Sequence, residues 1–385
     1  MPVETAVVGA DRHVGRRLVR SLLAHEEFEL SVVTRADERG RIAVAAGSRR
    51  ETEGDGPMPD EHSGATAGRR DDAATGGRRD DAATGDHGGG ADGGDTLPAS
   101  VTAPAVTPSA LAADPTALPA VDLVFSTLPD AVAERVEPEL ATAGHVVVST
   151  ATNARLERDV PLVTPELNPE QVGLIEVQRE ERGWDGAILK HPGAPAVLAA
   201  LPLAPVAEFG LDQVHVTTFR PAAGGDPPAM ETLDNVVPHV RGGESRLRTE
   251  LQKLLGEFDG TRVSPHPVDV SVASHRVPVR DACLESVWLQ TDESVSPVDI
   301  ESAFRSAPTV ALPSAPTESV TVSLDPSRPQ PRLDTSAGDG QTVVTGPVDD
   351  AGDGVQFDCL VHEAVRGGAG GALLVAELLV RDGYV

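Results

Sequence analysis

The sequence predicts an α/β protein of two domains, a Rossmann-type parallel sheet followed by an α+β domain. Three observations carry that expectation. The chain opens with a strand, a glycine turn, a helix and a second strand, and further buried-type strands appear after a long polar interruption. From about residue 155 the texture changes to alternating strands separated by amphipathic helices, and an apolar helix stands by itself near the end. A chain of 385 residues also exceeds what one small core requires.

Each element follows from its local pattern. "VETAVV" is a β-branched run that ends at Gly9, and "RRLVRSLLAHEEF" carries apolar residues at helical spacing. "FELSVVT" then completes a βαβ unit. "AVDLVFSTLP" and "GHVVVSTAT" read as strands buried on both faces, with the helix "DAVAERVEPELATA" between them. Residues 47–118 break this rhythm: "GRRDDAATG" occurs at Gly68–Gly76 and again at Gly77–Gly85, among Gly, Asp, Pro and Thr. Such repeats bury too little apolar surface to offset an ordering cost of about 1–2 kcal/mol per residue, so a disordered insertion is expected.

The second domain is expected to place "DQVHVTTF", "VSVASHRVPV" and "ESVTVSL" in a sheet, with helices at "ESRLRTELQKLLGEF" and "SPVDIESAFRS". Glu244, Arg246 and Lys253 should lie on a solvated face of the first of these helices. The final "RGGAGGALLVAELLVRDGYV" predicts a glycine-rich turn and an apolar helix that needs a partner surface. Trp288 and Tyr384 are expected to be packing residues, and Arg328 and Arg332 structural ion-pair formers.

Charge narrows the function classes. Asp and Glu outnumber Lys and Arg by 60 to 32, for a net charge of −28, which opposes general affinity for nucleic acid or anionic membranes. Lys190 and Lys253 are the only lysines. This balance suits a cytoplasm at molar salt, where the Debye length falls to about 3 Å and repulsion between surface carboxylates is screened. It reads as a haloarchaeal-type surface, with an ordinary acidic protein as the alternative. Two cysteines, Cys283 and Cys359, are too few for a disulfide framework and lack metal spacing, and the histidines have no H-x-x-x-H pair. No metal is expected, and neither an export signal nor a long apolar run is found, so a cytoplasmic location follows.

The turn "GADRHVG", Gly9 to Gly15, falls where a parallel sheet places a pyrophosphate, after the first strand and at a helix N-terminus. His13 and Val14 complete the turn. Its middle position, commonly glycine, holds Arg12, which either pairs with phosphate or obstructs the turn. Arg35 and Arg39, just past the second strand, stand where a basic side chain accommodates the 2′-phosphate of NADP.

Several stretches together resemble the aspartate-semialdehyde dehydrogenase family in its archaeal and fungal-like branch. They are "GADRHVG", "VDLVFSTLPDAVA", "TNARLERDVPLVTPELN", "LDNVVPHVRGGESRLRTELQKLLG", "HRVPVRDACLESV", "RPQPRLD" and "VHEAVRGGAGGALLVAELL", in order along nearly the whole chain outside 47–118. The resemblance implies an NADP-binding Rossmann domain at 1–46 and 119–153, completed by a C-terminal helix in 361–385, and a catalytic and dimerisation domain at 154–360. It implies reversible NADPH-dependent reduction of aspartyl phosphate to aspartate semialdehyde through a cysteine thioester, in a homodimer or homotetramer.

Residue by residue, that chemistry carries over poorly. Where the family pattern has Asn-Pro-Asn-Cys, this chain reads His191, Pro192, Gly193, Ala194. Arg220 stands at the glutamine position, Cys283 at the histidine position, and Glu363 at a cofactor-facing asparagine position. Arg276 matches the substrate-binding arginine, and Glu244 lies in the helix near which the family keeps its substrate-site charges. A methyl group cannot form a thioester, and losing the nucleophile of such a unit removes several orders of magnitude in rate. The expectation is a fold without its reaction, able to pair with an active paralogue through the inherited dimer face. A second expectation keeps an enzyme by relocation, with Cys283 as thiolate and His191 as its partner.

Overall fold

The computed structural model describes residues 2–36, 106–222 and 233–385. Arg39, the 68–85 repeats and the rest of the expected insertion up to residue 105 lie outside the described residues.

The first sheet is built from short, β-branched strands whose residues are buried almost without interruption, as a sheet covered on both faces requires. Its elements run β1 (Val3–Val8), α1 (His13–Leu23), β2 (Phe28–Thr34), α2 (Pro108–Ala113), β3 (Leu123–Ser126), α3 (Asp130–Thr142), β4 (Val146–Ser149), α4 (Leu174–Arg182) and β5 (Ala187–Lys190). All strands are parallel, in the order β2-β1-β3-β4-β5. The order reverses between β1 and β3, and in such sheets the crevice outside the strand ends at the reversal is where ligands bind.

The residues from 106 to 118 correct the expected insertion. Thr107 caps α2 through its side chain, a proline follows in the first turn, and Leu111 and Leu118 are buried against Val124, Val136 and Leu140. The apolar pair at 111 and 118 and the Thr-Pro start were legible signals, overridden in the sequence reading by the polar repeats before them.

The chain continues with α5 (Ala194–Val206), β6 (Leu211–Arg220), α6 (Gly243–Leu254), β7 (Glu257–Phe258), β8 (Val263–Ser264), β9 (Asp269–Arg276), β10 (Ala282–Thr291), α7 (Pro297–Arg305), β11 (Val320–Val322), α8 (Pro331–Asp334), β12 (Val343–Thr345), β13 (Asp349–Ala351), β14 (Gly354–His362) and α9 (Gly370–Arg381). The second sheet is mixed, ordered β11-β12-β14-β10-β6-β9 with β13 on β14. Its two central strands, β10 and β14, were not anticipated. Glu285 and Ser286 interrupt the apolar alternation of β10, and β14 alternates Val355, Phe357, Cys359 and Val361.

One face of this sheet carries Val214, Val216, Val287, Leu289 and Phe357, and α5, α6 and α7 close over it. α5 is apolar on every side, which fits its burial between other elements. On the opposite face Asp212, His215, Ser286, Gln356 and Asp358 are exposed, with Trp288 half-buried beside His215. Arg328 holds Asp334 in a two-point ion pair across α8, in line with its structural reading.

α9 returns to the first sheet. Leu373, Leu374, Val375, Leu378 and Leu379 pack with Val7, Leu18, Leu22, Phe125 and Val148, which supplies the partner surface the apolar helix requires. Among the described residues no helix is long and apolar enough to cross a membrane. Leu111→Ala should lower the unfolding free energy by about 2–5 kcal/mol, as for other fully buried leucines. A denaturation midpoint within error of the parent would remove α2 from the core.

Candidate functional site

The turn after β1 is shaped by two glycines. Gly9 has φ +91°, in the left-handed region, and the Thr127 hydroxyl after β3 donates to its carbonyl at 2.8 Å. A Cβ on Gly15 would lie 2.4 Å from that same carbonyl oxygen, so helix and strand meet only without a side chain. Arg12 is the N-cap residue, extended at φ −82° and exposed, so the backbone tolerates arginine where glycine is common. No acid occupies the first turn of α1. The unspent amides and dipole at a helix start favour an anion there, and Arg12 adds a cation.

The neighbouring charges are tied down. Asp11 accepts the Ala36 amide at 2.6 Å and lies 3.6 Å from the Arg35 guanidinium, so Arg35 is held beside the turn. Asp281, between β9 and β10, reaches across to α1, 4.0 Å from His13 and 3.9 Å from Arg17. Val14 sits against the C-terminal turn: a Cβ on Gly368 would come within 3.0 Å of its side chain.

The second helix start, at Ala194, lies at the end of the 191–193 loop. His191 is fully buried, its Nε2 2.8 Å from the Arg366 carbonyl and its Nδ1 3.2 Å from the Val163 carbonyl. Burial pulls its pKa down to about 3 despite those carbonyls. A neutral imidazole has one N–H and so donates to only one of these carbonyls, while its other nitrogen faces an oxygen with which it makes no bond. Ala194 is 2% exposed, and a Cβ on Gly367 would fall 2.4 Å from its methyl group. Ahead of it the Gly193 amide donates to Glu250 at 3.3 Å, and Glu250 is paired with Arg155 at 2.9 Å. A carboxylate of the chain itself therefore faces the start of α5.

Cys283 does not join His191. Its sulfur lies 3.6 Å from the Thr218 hydroxyl, and burial, with the charges of Glu363 and Glu285, pushes its thiol pKa well above the usual range. Among the described residues no hydrogen bond joins the two members of the expected exchanged dyad: the thiol contacts Thr218 and the imidazole faces backbone carbonyls. Glu285, fully buried opposite Thr218 and Cys359, is likewise raised by burial.

Arg220 and Glu363, assigned to substrate and cofactor respectively, meet each other at 2.6 Å. Arg276 lies directly across from Arg220 in the β6–β9 register and donates to the Pro221 carbonyl at 2.6 Å. Glu244 stands apart from this group, 3.0 Å from the exposed His239. Lys253, expected in solvent, is instead buried: its three ammonium donors reach the Arg155, Glu157 and Val160 carbonyls at 2.9, 3.0 and 2.7 Å. Burial pulls its pKa down to about 8. Lys190 is also buried, 2.5 Å from Glu137 and 3.0 Å from Ser149. The sequence reading missed Arg155, Glu250, Asp281 and Glu285, because each is a charged residue whose partner is distant in sequence.

Residues 94–175 match the semialdehyde dehydrogenase NAD-binding domain, and residues 203–362 the semialdehyde dehydrogenase dimerisation domain. The chain is 42% identical over 265 residues to an aspartate-semialdehyde dehydrogenase of Archaeoglobus fulgidus, covering 68% of this chain and 77% of that protein. It is 33% identical over 285 residues to a malonyl CoA reductase (NADP) of Metallosphaera sedula, covering 71% and 80%. A crystal structure of Candida albicans aspartate-semialdehyde dehydrogenase with NADP superposes with a TM-score of 0.74 at 28% identity, over 100% of both chains.

The buried imidazole gives a stability prediction. The unfolded His191 titrates near 6.5 and the folded one near 3, so between these values the unfolded chain holds the extra proton. Stability should therefore fall as pH drops through that window, by up to about 1.4 kcal/mol per pH unit. His191→Asn should flatten the decline between pH 6.5 and about 4.5 in denaturant titrations. An unchanged slope would mean the imidazole takes its proton in the folded chain.

Proposed function

Since the chain belongs to the aspartate-semialdehyde dehydrogenase family, we propose that it is a catalytically silent member, a dinucleotide-binding protein that acts as a subunit rather than as an enzyme. The observation that carries this reading is the start of α5, where Ala194 presents a buried methyl group against Gly367 and the carboxylate facing it, Glu250, is already held by Arg155. A saturated carbon cannot carry an acyl group, and neither His191 nor Cys283 is arranged to replace the thiolate.

Cofactor binding is supported by the first turn. Gly9 and Gly15 keep the close approach of strand and helix, and Arg12 is accommodated without a left-handed backbone. Gly9, Arg12, His13, Val14, Gly15 and Arg35 would hold NADP, the last through a 2′-phosphate. When bound, the nicotinamide would supply a hydride.

A subunit role is supported by the exposed face of the second sheet, which lies inside the region matching a dimerisation domain. This face suits a homodimer or homotetramer, or pairing with an active paralogue. The haloarchaeal reading of the acidic surface is supported by the net charge of −28 and the presence of only two lysines in the sequence.

The purified chain should bind NADPH, seen as a saturable fluorescence change at molar KCl, yet oxidise none on addition of aspartyl phosphate or malonyl-CoA. Ala194→Cys should stay inactive, because the carboxylate facing the new thiol, Glu250, is engaged by Arg155 and the Gly193 amide, and Arg220 is held by Glu363. Steady NADPH oxidation by the unsubstituted chain would sink the silent reading. Affinity purification from its own cells should recover a second semialdehyde dehydrogenase chain or a homo-oligomer, and recovery as free monomer would remove the subunit role.

A further inference from the structure

The corner where the first turn meets the end of β2 carries two opposite charges. Thr34 closes β2, and its carbonyl accepts the amides of Gly9 and Ala10 at 3.1 and 2.8 Å, so residues 9–11 and 34–36 form one ledge at the strand ends. Asp11 crosses that ledge. Its Oδ1 accepts the Ala36 amide at 2.6 Å, and its Oδ2 lies 3.6 Å from the Arg35 guanidinium, too far for a hydrogen bond. Both side chains reach solvent, Asp11 at 19% and Arg35 at 32% exposure.

Parallel sheets of this kind place the adenosine ribose of a dinucleotide beside the end of β2, where the charge of the side chain selects the cofactor. A carboxylate there accepts the 2′-hydroxyl of NAD, and an arginine accommodates the 2′-phosphate of NADP. This corner holds one of each, with the acid supplied by the turn rather than by β2. A 2′-phosphate carries about 1.5 to 2 negative charges near neutral pH. On reaching Arg35 it would stand beside the Asp11 carboxylate, whose repulsion offsets part of the attraction of the arginine. A 2′-hydroxyl meets no such repulsion and finds in Asp11 an acceptor. Any effect of Asp11 on the pyrophosphate is common to both dinucleotides and drops out of a comparison between them.

We infer that Asp11 sets the dinucleotide preference of this chain, blunting the pull of Arg35 so that NADH is accepted alongside NADPH. The inference rests on the cofactor reading above and deepens it, by adding a second dinucleotide and naming the residue that admits it.

The test is fluorescence titration of the full chain with NADPH and with NADH at one fixed KCl concentration. The unsubstituted chain should bind both, with dissociation constants within about tenfold of each other. Asp11→Asn, whose amide oxygen can still accept the Ala36 N–H, should raise the preference for NADPH at least about fivefold, and Arg35→Gln should lower it by weakening NADPH alone. Should the asparagine variant not fold, competition on the unsubstituted chain gives the same answer: adenosine 2′,5′-bisphosphate should displace NADPH less than about tenfold more strongly than adenosine 5′-phosphate. A preference for NADPH above about tenfold in the unsubstituted chain, or a preference unmoved by Asp11→Asn, overturns the inference and leaves the cofactor reading standing. Binding of neither dinucleotide defeats the cofactor reading itself, and the inference with it.

Discussion

The structure turns on a close approach that only missing side chains permit. The glycine-rich segment 365–369, a π-turn that leads into α9, lies directly on the loop ahead of α5. A Cβ at Gly367 or Gly371 would lie within 2.4 Å of Ala194 or of the His191 ring, and one at Gly368 would press on Val14. Through these contacts a single turn touches the starts of both α1 and α5. α5 is rooted in the core of the second sheet and α9 in that of the first, so the turn fastens the two cores together. Interiors are packed densely enough that such a joint has little freedom to loosen.

This constraint accounts for the form of the 191–194 loop. His191 lies between two backbone oxygens, Gly193 is held by Glu250, and Ala194 by the glycine turn. The shape of the loop is thus a requirement of packing between sheets, independent of any group it presents. Nearby, Arg366 is fully buried with its guanidinium 2.8 Å from Glu166, a pair whose partners are expensive to separate once desolvated.

Much of the fold was legible because it obeys local rules. The βαβ start, the buried strands at 123–126 and 146–149, and the apolar C-terminal helix all follow from spacing and turn residues. What escaped was set by distant partners. Residues 106–118 were lost beside polar repeats although Leu111 and Leu118 pack in the core, and β10 was obscured by Glu285, a carboxyl buried in mid-strand. At the site, sequence marked Ala194, Arg220, Cys283 and Glu363 one by one, but no spacing rule could show that Arg220 and Glu363 answer each other across 143 residues. The same blindness placed Lys253 in solvent, since its three carbonyl acceptors lie almost a hundred residues upstream.

Both lysines of the chain are interior, Lys190 on Glu137 and Lys253 on a ring of carbonyls. The outer positive charge is therefore carried by guanidinium groups, which hold their proton through any pH at which the fold survives. Amine-directed reagents, whether biotin esters, fluorophores or cross-linkers, would find neither lysine at the surface of the native fold, and covalent capture of a bound partner would turn instead to the abundant carboxylates.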